Sequence, residues 1–367
     1  MAGQRLASLD AFRGLTIAGM ILVNDPGNWQ YVYPPLRHAE WHGWTATDLV
    51  FPFFVFIVGV AISLALSRKK EEGVGKGDLY LKIFRRSVLI FALGMMLRLI
   101  PRFDFAAVRI PGVLQRIALC YLFAALLYLH TGSKGRLGAA VLILTGYWAA
   151  MKLIPVPGYG AGVLDYKGNL ASYIDLKFLS GHLYEPTFDP EGILSTFPAI
   201  VTAVLGTLTG DWLRTNKRPV TKTLGLLAAG AALTALGLAL HPYFPINKKL
   251  WTSTFVVFTA GAALLLLAGC YFLIDGRGSK RWATPFFILG TNAIAAYVGS
   301  ILMVKLLTLV NVSSGSEKIT LPVWVYQHLF VPWAGNLNGS LAYAVCYVLL
   351  WLGLMTPFYR KKIFIKI

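Results

Sequence analysis

His38 and His42 lie four residues apart in a segment, 24–45, that also holds Asn24, Trp29, Tyr31, Tyr33, Trp41 and Trp44. An imidazole suits proton transfer near neutral pH, because its unperturbed pKa is about 6.5. Aromatic faces interleaved with hydrogen-bonding groups suit a sugar-like ligand, although such rings also collect at membrane interfaces without any catalytic reason. Asp48 follows beside Thr45 and Thr47, where a carboxylate favours a helix N-terminus or acts on a neighbour. Metal chemistry is not expected. His38 and His42 would share a helical face, but the glutamate and third ligand of a zinc hydrolase are missing.

Other polar residues interrupt strongly apolar runs. Asp10 and Arg13 are three apart and can pair on one helical face. Gln115 and Arg116 follow Pro111-Gly112 and are expected just below the outer surface, where Arg116 can snorkel outward, each can serve a structural role, or the two can join a pocket opposite the His38 loop. Asn292 follows Gly290-Thr291 and can hydrogen-bond between helices. Ionisable groups at membrane depth cost on the order of 2.5–3.5 kcal/mol on insertion scales, so each is expected to have a partner or a function.

The elements that must position these groups are transmembrane helices. The chain has 367 residues, of which 56% are apolar and 14% charged, too little polar surface to coat a water-soluble globule. The net charge of +18 lies in short clusters between apolar runs, such as Arg68-Lys69-Lys70, Arg85-Arg86 and Arg360-Lys361-Lys362. Membrane topology accounts for that pattern, and no nucleic-acid-binding motif accompanies it. Cys120, Cys270 and Cys346 all sit in apolar runs, so no disulfide framework is implied.

Runs of about 20 apolar residues, ended by Pro, Gly and charge, predict an all-α polytopic membrane protein with ten spans. They lie near 9–25, 46–67, 82–100, 111–130, 137–154, 191–213, 221–241, 250–273, 285–309 and 338–359. With Lys and Arg near the ends of a span counted in the connection they adjoin, the N-terminal tail, the even-numbered connections and the C-terminal tail hold 21 of the 34, against 10 in the odd-numbered connections. The positive-inside rule therefore puts both termini in the cytoplasm and the loops 24–45, 155–190 and 310–337 outside. The first apolar run carries Asp10 and Arg13 and lacks a small-residue cleavage pattern, so it is expected to be a retained span and not a signal peptide. No internal repeat or inverted duplication is evident, and residues 1–367 are expected to form one transmembrane domain.

Several segments resemble, in order along the chain, the heparan-α-glucosaminide N-acetyltransferase family of membrane enzymes. They are SLDAFRG at 8–14, Val23-Asn24, RHAEWHGWTATDLVFPFFVFIVG at 37–59, RIPGVLQR at 109–116, DPEGI at 189–193, PINKKLW at 245–251, TPFF at 284–287 and YRKKIFIKI at 359–367. The resemblance implies transfer of acetyl from cytoplasmic acetyl-CoA to a glucosamine-type amine on the far side. It carries the family's essential histidine to His38 and its active-site asparagine to Asn24. Trp41, His42, Gln115, Arg116, Trp251 and Asn292 are the expected substrate-binding residues. The expected partners are acetyl-CoA, an amino-sugar acceptor and the lipid bilayer, with a homodimer as the association state to test. Beside lysosomal members the sequence lacks a long N-terminal extension, from which a bacterial plasma (inner) membrane is expected.

Acetyl-CoA is too charged to cross about 30 Å of hydrocarbon. Its pantetheine arm is therefore expected to reach outward through the helices, with Arg85, Arg86, Lys361 and Lys362 as candidates for its phosphates, although positive-inside topology explains those residues equally well. His38 would then deprotonate the amine, Asn24 would stabilise the oxyanion and Asp48 would orient the imidazole. Both direct transfer and an acetyl-histidine intermediate fit. The rival readings are an O-acetyltransferase of cell-surface polysaccharide and a sugar transporter.

Overall fold

The computed structural model describes residues 6–314 and 317–365. Lys366 and Ile367, which end the YRKKIFIKI segment, lie outside the described residues. A helix stands at each of the ten predicted places. These are α1 (Ala7–Asn24), α2 (Ala46–Glu71), α3 (Lys76–Leu99), α4 (Val113–His130) and α5 (Ser133–Leu153). A short α6 (Leu170–Leu179) precedes α7 (Ile193–Arg214), α8 (Pro219–Leu240), α9 (Ser253–Cys270), α10 (Thr284–Thr291) and α11 (Ala293–Leu307). A hairpin of β1 (Asn311–Ser314) and β2 (Glu317–Thr320), paired Asn311 to Thr320, leads to α12 (Leu321–Val325) and α13 (Val331–Arg360).

By length and composition, six helical stretches among the described residues can cross a membrane, Ala46–Glu71, Val113–His130, Ile193–Arg214, Pro219–Leu240, Ser253–Gly276 and Leu321–Arg360. Arg281–Thr291 and Ala293–Leu307 make a seventh when taken as one span bent by 69°. The three other predicted spans coincide with α1, α3 and α5, whose apolar character is diluted by Asp10 and Arg13, by Lys82, Arg85, Arg86 and Arg98, and by Lys134, Arg136 and Lys152. Each of these helices keeps a buried face, including Phe12 and Ile17 on α1, Ile83 and Ile90 on α3 and Tyr147 and Met151 on α5.

Two expectations are corrected. The span predicted at 285–309 is not continuous: it breaks at Asn292, whose φ of −122° and ψ of 40° are not helical. The segment 310–337 is not a plain loop, for it folds into the hairpin, α12, a π turn at Tyr326–Phe330 and the start of α13, which kinks at Gly335 with φ of 70°. Neither break announces itself in composition, since both halves of each stay apolar.

The centre of the bundle is α2 against α7, where a Cβ on Gly59 would meet the Ala203 carbonyl oxygen at 1.9 Å and one on Gly206 the Phe56 oxygen at 2.1 Å. Small residues at such crossings let helix backbones touch, which is how helices pack when lipid removes the hydrophobic contrast. In contrast, α8 turns Leu224, Leu227, Leu236 and Leu238 outward, as a lipid-facing helix does. Gly14 of α1 packs on the Phe286 backbone, and Gly290 on the Asp10 carbonyl. Asn292 in turn binds the C-terminal tail, donating to the Ile363 carbonyl at 3.1 Å and accepting from the Ile365 N–H at 2.8 Å. The start of α1 and the C-terminal tail therefore lie at one end of the bundle. Asn24 closes the other end of α1, about 27 Å away at 1.5 Å per residue.

Candidate active site

Asp48 is the third residue of α2 and is 1% exposed. Its Oδ2 accepts the N–H groups of Thr45 and Ala39, each at 3.0 Å, and the Thr45 hydroxyl at 3.1 Å. Those bonds fold the preceding segment back over the N-terminus of α2 and satisfy its first donors, as a capping carboxylate does. The other oxygen, Oδ1, lies 2.7 Å from His38 Nδ1. A carboxylate at that distance accepts a hydrogen bond from Nδ1–H, which keeps the proton on Nδ1 and leaves Nε2 as the basic nitrogen. The His38 side chain is 44% exposed, so an acceptor can reach it.

A third group completes this pair. The ammonium of Lys248 is 3.0 Å from His38 Nδ1 and 3.4 Å from Asp48 Oδ1. Burial pushes the Lys248 ammonium below its ordinary value, and the charges of Asp48 and Glu191 oppose that shift. Lys248 arrives from the loop after α8, which is fastened to the His38 loop at several points. Gly43 donates to the Ile246 carbonyl at 2.7 Å, and the Asn247 amide reaches His42 Nδ1 at 3.3 Å. Within that loop Asn247 Oδ1 accepts the Leu250 N–H at 2.8 Å and Thr252 caps α9. Lys248 lies in the PINKKLW segment, which gives no reason to expect it at the site. A cation beside aromatic and basic residues gives no sign in the sequence that it will meet a carboxylate 200 residues earlier.

Among the expected substrate-binding residues, Trp41 donates from Nε1 to the Leu164 carbonyl at 2.8 Å and packs edge-on against Tyr166 and Phe188. It anchors the outer segment around 155–190 over the His38 loop, with the Lys249 ammonium 5.7 Å from its ring. His42 is held low by burial, an effect Asp165 opposes and His241 reinforces. Trp251 is 1% exposed and stacks edge-on with Phe51 and Phe255 beneath the same loops.

Arg116 does not snorkel. It is 1% exposed, lies 5.1 Å from the Trp251 ring and donates to the Gly192 carbonyl at 3.2 Å and to Ser195 Oγ. Its Nε and Nη1 find no hydrogen-bond partner among the described residues. The inward course follows from packing: α7 and Trp251 cover the side of α4 that Arg116 occupies. Gln115 is next in sequence and about 100° round the helix, so it turns away from Arg116 to the seam with α3, where its amide meets Met95 sulfur at 3.4 Å. The structure thus separates the two residues that the sequence grouped into one pocket. Nearby, Arg109 grips Asp189 through two bonds of 2.8 and 2.6 Å and also pairs with Glu191, joining the RIPGVLQR and DPEGI segments.

Asn24 ends α1, exposed, and its amide makes no hydrogen bond among the described residues. Asn292 belongs with the C-terminal tail at the opposite end of α1 and not with the His38 group. The four cationic candidates are exposed: Arg85 and Arg86 in the first half of α3, with Arg86 4.8 Å from the Tyr121 ring, and Lys361 and Lys362 just after α13. Chemically, the His38, Asp48 and Lys248 constellation offers a base of fixed tautomer beside a positive charge. That combination suits proton removal from an attacking group and stabilisation of negative charge at an acyl centre.

A family model described as heparan-alpha-glucosaminide N-acetyltransferase, catalytic, matches residues 5–245. The human protein of that name is 32% identical over 353 residues, covering 80% of this chain and 52% of the human one. The mouse protein is 32% identical over 358 residues, 81% of this chain and 53% of its own length. The chain spans about half the length of the curated relatives it matches.

Proposed function

We propose a function from the premise that this chain belongs to the heparan-alpha-glucosaminide N-acetyltransferase family: it moves an acetyl group from cytoplasmic acetyl-CoA to the amine of a glucosamine-type sugar on the non-cytoplasmic side of a membrane. The observation that carries the reading is the accessible imidazole of His38 held at 2.7 Å by a buried carboxylate, within a segment the family model covers. All ten helices of the predicted spans cross, with both termini cytoplasmic. In support of that reading, the start of α1 and the C-terminal tail meet at one end of the bundle through Asn292 and Gly290. A bacterial plasma membrane is the proposed setting.

In this reading the CoA phosphates stay at the cytoplasmic mouth with Arg85, Arg86, Lys361 and Lys362, and the pantetheine arm carries the thioester outward to His38. The sugar amine, delivered neutral, attacks the thioester carbon. His38 Nε2 takes the proton that the nitrogen loses as the C–N bond forms, and Asp48 stabilises the resulting imidazolium. The oxyanion is met by the Asn24 amide and by the field of the Lys248 ammonium. As the C–S bond breaks, the proton passes from His38 to the CoA thiolate. The products are an N-acetylated sugar and CoA thiol. General-base help of this kind gives about 10²–10⁴ in rate, and a well-placed oxyanion donor about 10²–10³. Trp41, His42 and Trp251 shape the acceptor side, with Arg116 supporting Trp251 from below.

The test is acetyl-CoA consumption by the purified protein in detergent with a panel of sugars. Turnover with free amino sugars and none with their N-acetylated forms is expected. Transfer only to N-acetylated sugars points to hydroxyl acetylation, and sugar flux without acetyl-CoA points to transport; either result overturns the proposal.

A further inference from the structure

A second polar site lies away from His38, where α3, α4 and α11 meet around a cavity of about 100 Å³. Arg98, Gln115, Tyr297 and Lys305 line it together with Gly94 and Leu97, and no carboxylate is among the described residues that do. Lys305 donates to the carbonyls of Leu97 and Ile100 at 2.5 and 2.8 Å, which fixes its ammonium at the last turn of α3 and leaves its third N–H uncommitted.

The neighbouring donors are also uncommitted. The Gln115 amide N–H₂ has only the Met95 sulfur, a weak acceptor, at 3.4 Å. A Cβ at Gly94 or Gly112 would come within 2.6 or 2.7 Å of Gln115 Oε1, so the two glycines make the space this amide occupies. Arg98 is exposed and Tyr297 buried, and neither the guanidinium nor the hydroxyl makes a hydrogen bond to the described residues. Asp189 and Glu191, which act on Arg98, are already bound to Arg109, and Asp25, which acts on Tyr297, is not among the residues that line the cavity.

The lining holds two cations and two neutral donors and, among the described residues, no carboxylate, a set that an oxyanion suits. We propose that this cavity is an oxyanion site, filled by a carboxylate, sulfate or phosphate group that accepts from Arg98, Lys305, Gln115 and Tyr297. The Lys305 anchor puts it at the end of α3 that leads toward Arg109 and Asp189, the same end of the bundle as His38. Two sources of that group reach this end: an acidic unit carried by the acceptor sugar, and the phosphate of a lipid headgroup. The first source rests on the acetyltransfer reading; the site itself does not.

Binding is tested on the full chain in nanodiscs of neutral lipid, with melting temperature as the readout and methyl glucuronide as the soluble probe. Parallel nanodiscs contain phosphatidylglycerol. Stabilisation of the wild type by one of the two probes is expected, weakened about tenfold in apparent affinity by Arg98→Gln and by Tyr297→Phe. The tyrosine variant keeps the packing should the arginine variant fold poorly. A response to the glucuronide assigns the site to the acceptor, and a response to phosphatidylglycerol assigns it to lipid. No response from the wild type to either, or a response in both variants equal to that of the wild type, overturns the proposal.

A third arm compares acetyl transfer to glucosamine and to a glucosamine linked to a uronate. Where the acceptor is the source, Arg98→Gln lowers the uronate-to-neutral ratio of kcat/KM about tenfold. A protein with no acetyl transfer to any sugar defeats the function proposed above while the melting measurements still decide the site.

Discussion

His38 and Asp48 meet at 2.7 Å although ten residues separate them, because the carboxylate that caps α2 with one oxygen turns the other toward the imidazole. Capping and orienting are thus one structural act. The helix N-terminus holds the carboxylate in place, and the carboxylate holds the ring.

Replacing His38 with Ala removes the proposed base without touching the cap. Acetyl transfer is expected to fall by about 10²–10⁴ while acetyl-CoA binding, read by calorimetry, persists. Labelled acetyl retained on the wild-type protein in the absence of acceptor would mark a two-step route through His38, and none is expected for direct transfer.

Asp48→Asn keeps the shape and changes the proton. The side-chain oxygen can still accept from Thr45 and Ala39, which leaves an N–H₂ facing His38 Nδ1. That donor forces the proton onto Nε2, the wrong tautomer for a base. A loss in kcat on the order of 10²–10⁴ is expected, with the melting temperature much less affected than in Asp48→Ala, where the cap is lost as well.

Lys248→Met takes away the ammonium 3.4 Å from a carboxylate that is 1% exposed. A destabilisation of about 1–3 kcal/mol is expected, together with reduced kcat, because Asp48 then holds its charge with less support. Lys248→Arg, which restores the charge, should recover stability and part of the activity. Activity equal to wild type in the Met variant would remove Lys248 from the site.

Arg109 binds two acidic side chains that are 0% and 11% exposed. Arg109→Ala leaves those carboxylates buried and unpaired, at a cost of about 3–5 kcal/mol in thermal unfolding. Arg109→Lys should fall between, since a single ammonium cannot reproduce the two-bond fork.

Asp175 caps the turn before α7 by accepting the Ile193 N–H at 2.7 Å, and burial raises its carboxyl to about 7. The folded protein therefore holds a proton there that the unfolded chain releases from about pH 4. The stability contribution of this group is full below that pH, declines as pH rises to about 7 and is flat beyond. Comparing melting temperatures of wild type and Asp175→Asn across that range isolates it, and the wild-type decline should be the steeper of the two.

What the sequence by itself determined is where helices form and which loop brings an imidazole to the N-terminus of α2. Apolar runs of membrane length have one way to satisfy their backbone, so α2, α4, α7, α8 and α9 follow from composition alone. The contact of His38 with Asp48 was legible because the histidine and the carboxylate that opens the next helix are close in sequence. Tertiary structure alone decided that Lys248 joins them, that Arg116 turns inward onto Trp251 while Gln115 faces a different cavity, and that Asn292 breaks a span to hold the C-terminal tail. Those outcomes depend on which helix lies beside which, and two neighbouring residues on one helix point about 100° apart whatever their shared motif. Spacing along the chain sets the first kind of fact, and packing between distant helices sets the second.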